Sequence, residues 1–384
     1  MITRRTLIGS GLAAFGTAAL PRISFAQGGG GERRFIFIIQ RGAADGLYSV
    51  APIGDPGLRT ARASLVDAMG EGVKLDAMFA LHPALKETAA LYKEGQALFV
   101  HAVASVNRDR SHFDAQNILE TGGARAYAEK DGWMNRLVGL LPAADGKAMA
   151  LAQTLPAAMR GPRAVTNYAP SRLPDATQDL MARVTDLYAH DTQLRGLWQS
   201  AMDTRALAGD LGEGAGRSGA ATGALVAKLM APANGARLMM VETGGWDTHS
   251  AQKGRMNGGL NGLDQMIGAI KSGLGATWSE TLILVATEFG RTVAVNGTGG
   301  TDHGTASAAM LIGGAVKGGR VMADWPGLRV SDQFEGRDLK PTLALEALIA
   351  SAVAGHFALD PAKAARGLYP SLPAFRAIDG LIHT

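Results

Sequence analysis

The run from Arg33 to Gln40, RRFIFIIQ, contains five consecutive apolar residues. A half-buried strand alternates apolar and polar positions, so a run without alternation reads as a strand covered on both faces. It predicts the first strand of a central sheet with a layer on either side. Two later runs repeat the plan: MMVET (Met239 to Thr243) and TLILVAT (Thr281 to Thr287) end at acidic residues that a loop carries onward. That arrangement suits an α/β sheet whose chemistry lies at the carboxyl ends of its strands.

Before the first strand, two adjacent arginines, Arg4 and Arg5, precede a modest apolar run and a small-residue exit at Ser24-Phe25-Ala26. This reads as a twin-arginine export signal over residues 1–26, with residues 27–384 as one domain. The apolar run from Leu7 to Leu20 is short of the roughly 20 residues a span requires, so no stable membrane span is expected after cleavage. The expected location is periplasmic or otherwise extracytoplasmic, with the twin-arginine export machinery as a partner. Loss of Arg4, Arg5 and Arg22 lowers the formal charge from +4 to +1. The basic balance therefore gives no case for nucleic acid, and no Arg/Lys stripe interleaved with aromatics is present. The chain has no cysteine, which excludes disulfides and thiolate metal sites.

Along the chain, spacing predicts a helix within Phe79 to Tyr92 with Pro83 near its first turn, and a strand at ALFVHAVA. His82 reads as a cap or packing residue and His101 as a buried, hydrogen-bonded one. A helix is expected from Ser111 to the Gly122-Gly123 pair, since SHFD approximates a capping box. Asp131 to Leu141 and residues 175–209 read as helical, and residues 210–223 as a loop. A helix starting near Pro341 should place His356 at its own terminus.

The candidate site residues cluster after the strands. Asp45, bracketed by Gly42 and Gly46, is either a turn residue or a ligand. Ser111 is either an N-cap or a nucleophile at a helix end able to hold phosphate or sulfate, with Arg108, Asp109, Arg110 and His112 crowded round it. In GGWDTH, Asp247 and His249 are two residues apart and in an extended segment point to the same side, though Asp247 also suits a cap. Glu288 and Arg291 leave the TLILVAT strand; the carboxylate suits a cation and the guanidinium a tetrahedral oxyanion. GTDHG then brings Asp302 and His303 on a Gly-rich loop. Oxygen and imidazole donors together favour zinc, manganese or another divalent ion.

The RGAADG, SHFDAQ, WDTH, TEFGR and TDHG motifs, in this order over nearly the whole mature chain, resemble the domain of unknown function 1501 family, an exported family within the alkaline phosphatase superfamily. The resemblance implies a three-layer α/β sandwich with a central, mostly parallel sheet, alkaline-phosphatase-like, and a two-metal site. Asp45, Ser111 and Glu288 would surround one metal and Asp247, His249 and His303 the other. Where the superfamily has an Asp-His pair at a strand exit, this chain has Glu288-Phe289, so a histidine is missing. His112 or Asp302 would compensate, or one ion would bind.

The expected function is an exported metallohydrolase acting on a phosphate or sulfate ester, small-molecule or part of the envelope. Ser111 or a metal-bound water would attack, and Arg291 would steady the transferred group. The alternative is a catalytically degenerate protein that binds an envelope glycan, lipid or protein partner through the same site. A dinucleotide-dependent oxidoreductase is disfavoured because no G-x-G-x-x-G turn follows the first strand.

Overall fold

The structure is a computed structural model, and it describes residues 33–69, 72–143, 146–169, 176–209 and 218–383. The expected export signal and residues 210–217 of the expected loop lie outside these ranges.

The strands are β1 (Arg34–Gln40), β2 (Val50–Ala51), β3 (Val73–Lys74), β4 (Ala80–Leu81), β5 (Ala97–Ala104), β6 (Ala148–Leu151), β7 (Thr166–Tyr168), β8 (Leu238–Thr243), β9 (Thr281–Ala286), β10 (Ser307–Ile312), β11 (Arg320–Met322) and β12 (Leu343–Ala344). The described α-helices are α1 (Gly46–Ser49), α2 (Pro56–Met69), α3 (Lys86–Lys93), α4 (His112–Thr121), α5 (Trp133–Leu140), α6 (Gln178–Tyr188), α7 (Thr192–Ala208), α8 (Gly219–Met230), α9 (Gln252–Leu274), α10 (Leu345–Phe357) and α11 (Pro361–Leu368).

A nine-stranded sheet has the order β11-β5-β10-β9-β1-β8-β6-β7, with β12 also paired to β5. All its pairings are parallel except those of β10, which runs against both β5 and β9. β1 lies at the centre, between β8 and β9, and is buried along its whole length. Its side chains divide as a pleat requires. Ile36 and Ile38 enter one core with residues of α3, α8 and α9. Phe35, Phe37 and Ile39 enter the other with residues of α5, α10 and α11, where Trp133 packs edge-on against both phenylalanines. Two helical layers thus cover a mostly parallel sheet, the three-layer arrangement expected.

Local expectations fare unevenly. β5 matches ALFVHAVA residue for residue, and α4 ends at Gly122 in the left-handed conformation. The helix expected near Pro83 starts instead at Lys86, because the His82 ring accepts from the Ala84 amide and turns the chain first. Residues Gly219 to Gly223, expected as loop, open α8 behind the Ser218 cap. His356 does not serve its own helix end; its Nε2 donates to the Arg34 carbonyl at 3.0 Å, tying α10 to β1.

Both His101 and His356 are fully enclosed, and burial depresses their pKa values to about 4 and about 3 respectively. The unfolded chain would titrate them near 6.5, so below that pH it binds more protons than the native state. Their contribution is intact above about pH 6.5 and is lost as pH falls towards 4, by up to roughly 2.7 kcal/mol per pH unit for the pair. Urea midpoints measured from pH 8 to 4 should show this loss, and His356→Phe should flatten the decline; an unchanged decline in the variant refutes the assignment.

Candidate metal centre

Parallel strands deliver their exits to one edge of a sheet. β1 ends there at Arg41 to Asp45, β5 leads to α4, β8 leads to Asp247 and His249, and β9 leads to Glu288 and Arg291. Because β10 is reversed, the residues just before it, including His303, start from this same edge. One glycine is indispensable for the approach. Gly42 has φ +117°, and a Cβ there would stand 2.5 Å from the Asp247 amide nitrogen.

At this edge His112, Asp247 and His303 offer ligand atoms that all lie within 4.8 Å of one another. His249 lies beside two of them, its Nε2 being 2.9 Å from His303 Nε2 and 3.1 Å from Asp247 Oδ1. His112 Nε2 lies 3.6 Å from Asp247 Oδ2 and has no hydrogen-bond partner.

The opposite ring nitrogen of each histidine is held by a group that can only accept. His112 Nδ1 donates to Glu288 Oε1 at 2.8 Å, His249 Nδ1 to Asp302 Oδ1 at 3.0 Å, and His303 Nδ1 to the Arg110 carbonyl at 2.8 Å. Each Nδ1 therefore carries a proton, and a neutral ring turns a bare Nε2 lone pair towards the others. Two bare lone pairs at 2.9 Å repel. Either a proton on one ring or a shared cation relieves that contact. Three imidazoles and one carboxylate suit a zinc-type ion.

The charges agree with this layout. The Glu288 hydrogen bond is the largest influence on His112 and raises its pKa against the opposing effect of burial. Burial lowers that of His303. Burial alone would raise the Asp247 carboxyl, but the Arg291 guanidinium at 2.5 Å outweighs it and holds the pKa below the ordinary value. Glu288 likewise resists burial through donors from His112, Gln116 and the Gly42 amide, and stays below the usual carboxylate range.

Several expected roles change. Asp45 is not at the cluster: its Oδ1 accepts from the Leu47 amide, while Oδ2 accepts from Arg62 at 2.7 Å and from Gln252 at 2.5 Å. Both partners of the Arg62 ion pair are 1% exposed, so this carboxylate already has its counter-charge. Glu288 orients His112 rather than facing the cluster, since Oε1 takes three donors and Oε2 lies 3.0 Å from Thr287 Oγ1. Asp302 is the corresponding holder of His249, and that hydrogen bond chiefly lowers its pKa. Ser111 caps α4, its Oγ accepting from the Asp114 amide at 3.5 Å. The set Asp45, Ser111 and Glu288 does not assemble as ligands.

Arg291 is the largest departure. Its buried guanidinium donates to the carbonyls of Gly42, Ala43, Trp246 and Thr301 at 2.9–3.2 Å, besides Asp247. It fastens the β1, β8 and β9 exits together and has no face towards a substrate. Residues that sequence reasoning missed include Arg62, Gln252 and Gln116. Gln116 lies four residues after His112 on α4, a spacing that places both on one helix face, so the i, i+4 pairing is the signal that could have found it.

Comparison with solved structures finds similarity to the C-terminal periplasmic domain of EcEptC from Escherichia coli in complex with zinc, at 9% identity and TM-score 0.34 over 74% of each chain. It also finds the phosphonate monoester hydrolase of Agrobacterium radiobacter, at 11% identity and TM-score 0.35 over 76% of this chain and 70% of that one. No curated protein matches. The pattern of the family described as "Protein of unknown function (DUF1501)" matches residues 33–360, and the chain, whose motifs pointed to it, belongs to that family.

Proposed function

We propose that this protein is an exported metal-dependent hydrolase of a phosphate or sulfate ester, holding one divalent ion. The observation that carries the reading is the convergence of His112, His303 and the Asp247 carboxylate, with His249 Nε2 beside the last two and every Nδ1 already anchored. His112, Asp247, His249 and His303 would hold the ion, zinc before manganese because imidazole dominates. Such an ion polarises an ester oxygen and acidifies a neighbouring hydroxyl or water. The chain's own residues do the rest of the positioning. Glu288, with Gln116 behind it, fixes the His112 ring, Asp302 fixes His249, and Arg291 sets the Asp247 carboxylate. Ser111, next to His112, is the proposed nucleophile in competition with water. That Asp45 and Glu288 are held by other partners supports a single ion. The superfamily resemblance of the motifs supports the ester chemistry, and the Arg4-Arg5 segment supports export of a single domain over residues 27–384.

Among the described residues no helix is long and apolar enough to cross a membrane. The second reading, a protein that binds an envelope partner without turnover, draws on the absence of Asp45 and Glu288 from the ligand positions the resemblance implies and on the enclosure of Arg291. Purified mature protein should retain about one equivalent of zinc after dialysis and hydrolyse 4-nitrophenyl phosphate or 4-nitrophenyl sulfate. Zinc retention with neither ester cleaved favours the binding protein, and failure to retain zinc sinks the metal-centre reading.

A further inference from the structure

With Arg291 enclosed, the site needs another cation if it is to hold an oxyanion. Four arginines touch the cluster or its immediate supports. Arg291 is buried among carbonyls, Arg110 is paired with Asp338 and Glu335, and Arg337 donates to the His303 carbonyl while paired with Asp338. Arg255 differs. It is exposed in the first turn of α9, its Nη1 donates to the backbone carbonyl of Asp247 at 3.1 Å, and it has no carboxylate partner among the described residues. A guanidinium has five donors in a planar fork, so one hydrogen bond to a neutral carbonyl leaves most of the fork and the whole charge unmatched.

The space beside it is also organised. A cavity of about 520 Å³ is lined by Gly244 and Trp246 of the loop that carries Asp247 and by Gly258, Gly259 and Gly262 of α9. Arg255, Gly259 and Gly262 are spaced by four and three residues and so follow one helix face. Arg255 therefore stands one turn before the cavity, where its hydrogen bond to Asp247 crosses from helix to loop. A Cβ built on Gly244, Gly258 or Gly262 would meet nothing within 4 Å, so side chains are absent where they would close this space. Among the described residues the lining contains Gln153, Ser218 and Glu242, whose carboxylate is paired with Arg41.

We infer that Arg255 is the oxyanion-binding residue of the centre, and that the adjoining cavity receives a hydroxyl-bearing leaving group. This rests on the metal-centre reading and specifies its substrate as a phosphate or sulfate monoester of a polyol or sugar. The guanidinium fork supplies paired donors to a tetrahedral anion, while the cavity's amide, hydroxyl and carboxylate groups match alcohol hydroxyls.

The test titrates inorganic phosphate into the full mature chain by calorimetry, zinc-loaded and zinc-free in parallel, for wild type, Arg255→Ala, Arg255→Lys and Gly258→Leu. Removing the charge-assisted donors should weaken phosphate binding about 10- to 100-fold with zinc content unchanged, and lysine should restore part of it. Gly258→Leu occupies open space on a helix, so it should leave phosphate affinity unchanged but raise KM for glycerol 2-phosphate at least about fivefold, a loss of one modest contact. Equal phosphate affinity in wild type and Arg255→Ala overturns the oxyanion assignment, and an unaltered KM in Gly258→Leu overturns the leaving-group cavity. If wild type retains no zinc, the metal-centre reading falls instead, and the zinc-free titrations still decide for or against Arg255.

Discussion

Replacing His112 with alanine is expected to weaken zinc binding at least about 100-fold. Structural zinc sites with four donors bind with roughly 10–16 kcal/mol, so one donor is worth about 3 kcal/mol. His112 is a partly exposed residue in the first turn of α4, and its removal opens no core cavity. The thermal midpoint of the zinc-free protein should therefore move little. Glu288→Gln offers a graded comparison, because it keeps the side chain's shape while weakening the acceptor that orients the ring. Losses of this kind cost about 10–100-fold in metal affinity. Competition titration with a zinc chelator would rank the variants. If Glu288→Gln proves worse than His112→Ala, the carboxylate is itself a ligand and the division of roles described above is wrong.

The second large effect is expected at Asp45, and it concerns stability rather than metal. Asp45→Ala strands the Arg62 guanidinium, whose other donors reach the Val293 and Thr292 carbonyls, in a buried setting without its counter-charge. Breaking such a pair from one side costs about 3–5 kcal/mol. Urea unfolding should show that loss while the folded fraction keeps its zinc. Adding Arg62→Met should recover part of the deficit, since contacting partners are not additive. An Asp45→Ala protein of normal stability that fails to hold zinc would restore Asp45 to the ligand set.

These two residues show what the sequence could and could not convey. The strands were legible because burial on both faces writes an uninterrupted apolar run, as in RFIFIIQ and TLILVA. That Asp247, His249 and His303 come to one place was legible because glycines surround polar pairs at strand exits, a pattern with little structural purpose of its own. Which side chains face the cluster and which hold its rings was not. A carboxylate that grips a metal and one that grips a histidine ring occupy the same kind of position in a loop, and only the donors nearby separate Glu288 from Asp247. Phe289 illustrates the same limit. It marks where a histidine was missing, yet its ring stacks on His112 with centroids 4.9 Å apart, so the imidazole arriving from α4 is packed against the residue whose identity suggested a depleted site. Arg62 gave no signal, because its partner Asp45 is 17 residues away and its role depends on how α2 folds back.

Arg291 binds carbonyls that belong to three separate segments, the exits of β1 and β8 and the stretch just ahead of β10. None of these segments can move away without stranding a buried guanidinium donor. The connection between β9 and β10, although free of regular helix or long strand, is thereby joined to the centre of the sheet as one cooperative opening unit, and the imidazole of His303 shares the lifetime of the core rather than that of a surface loop.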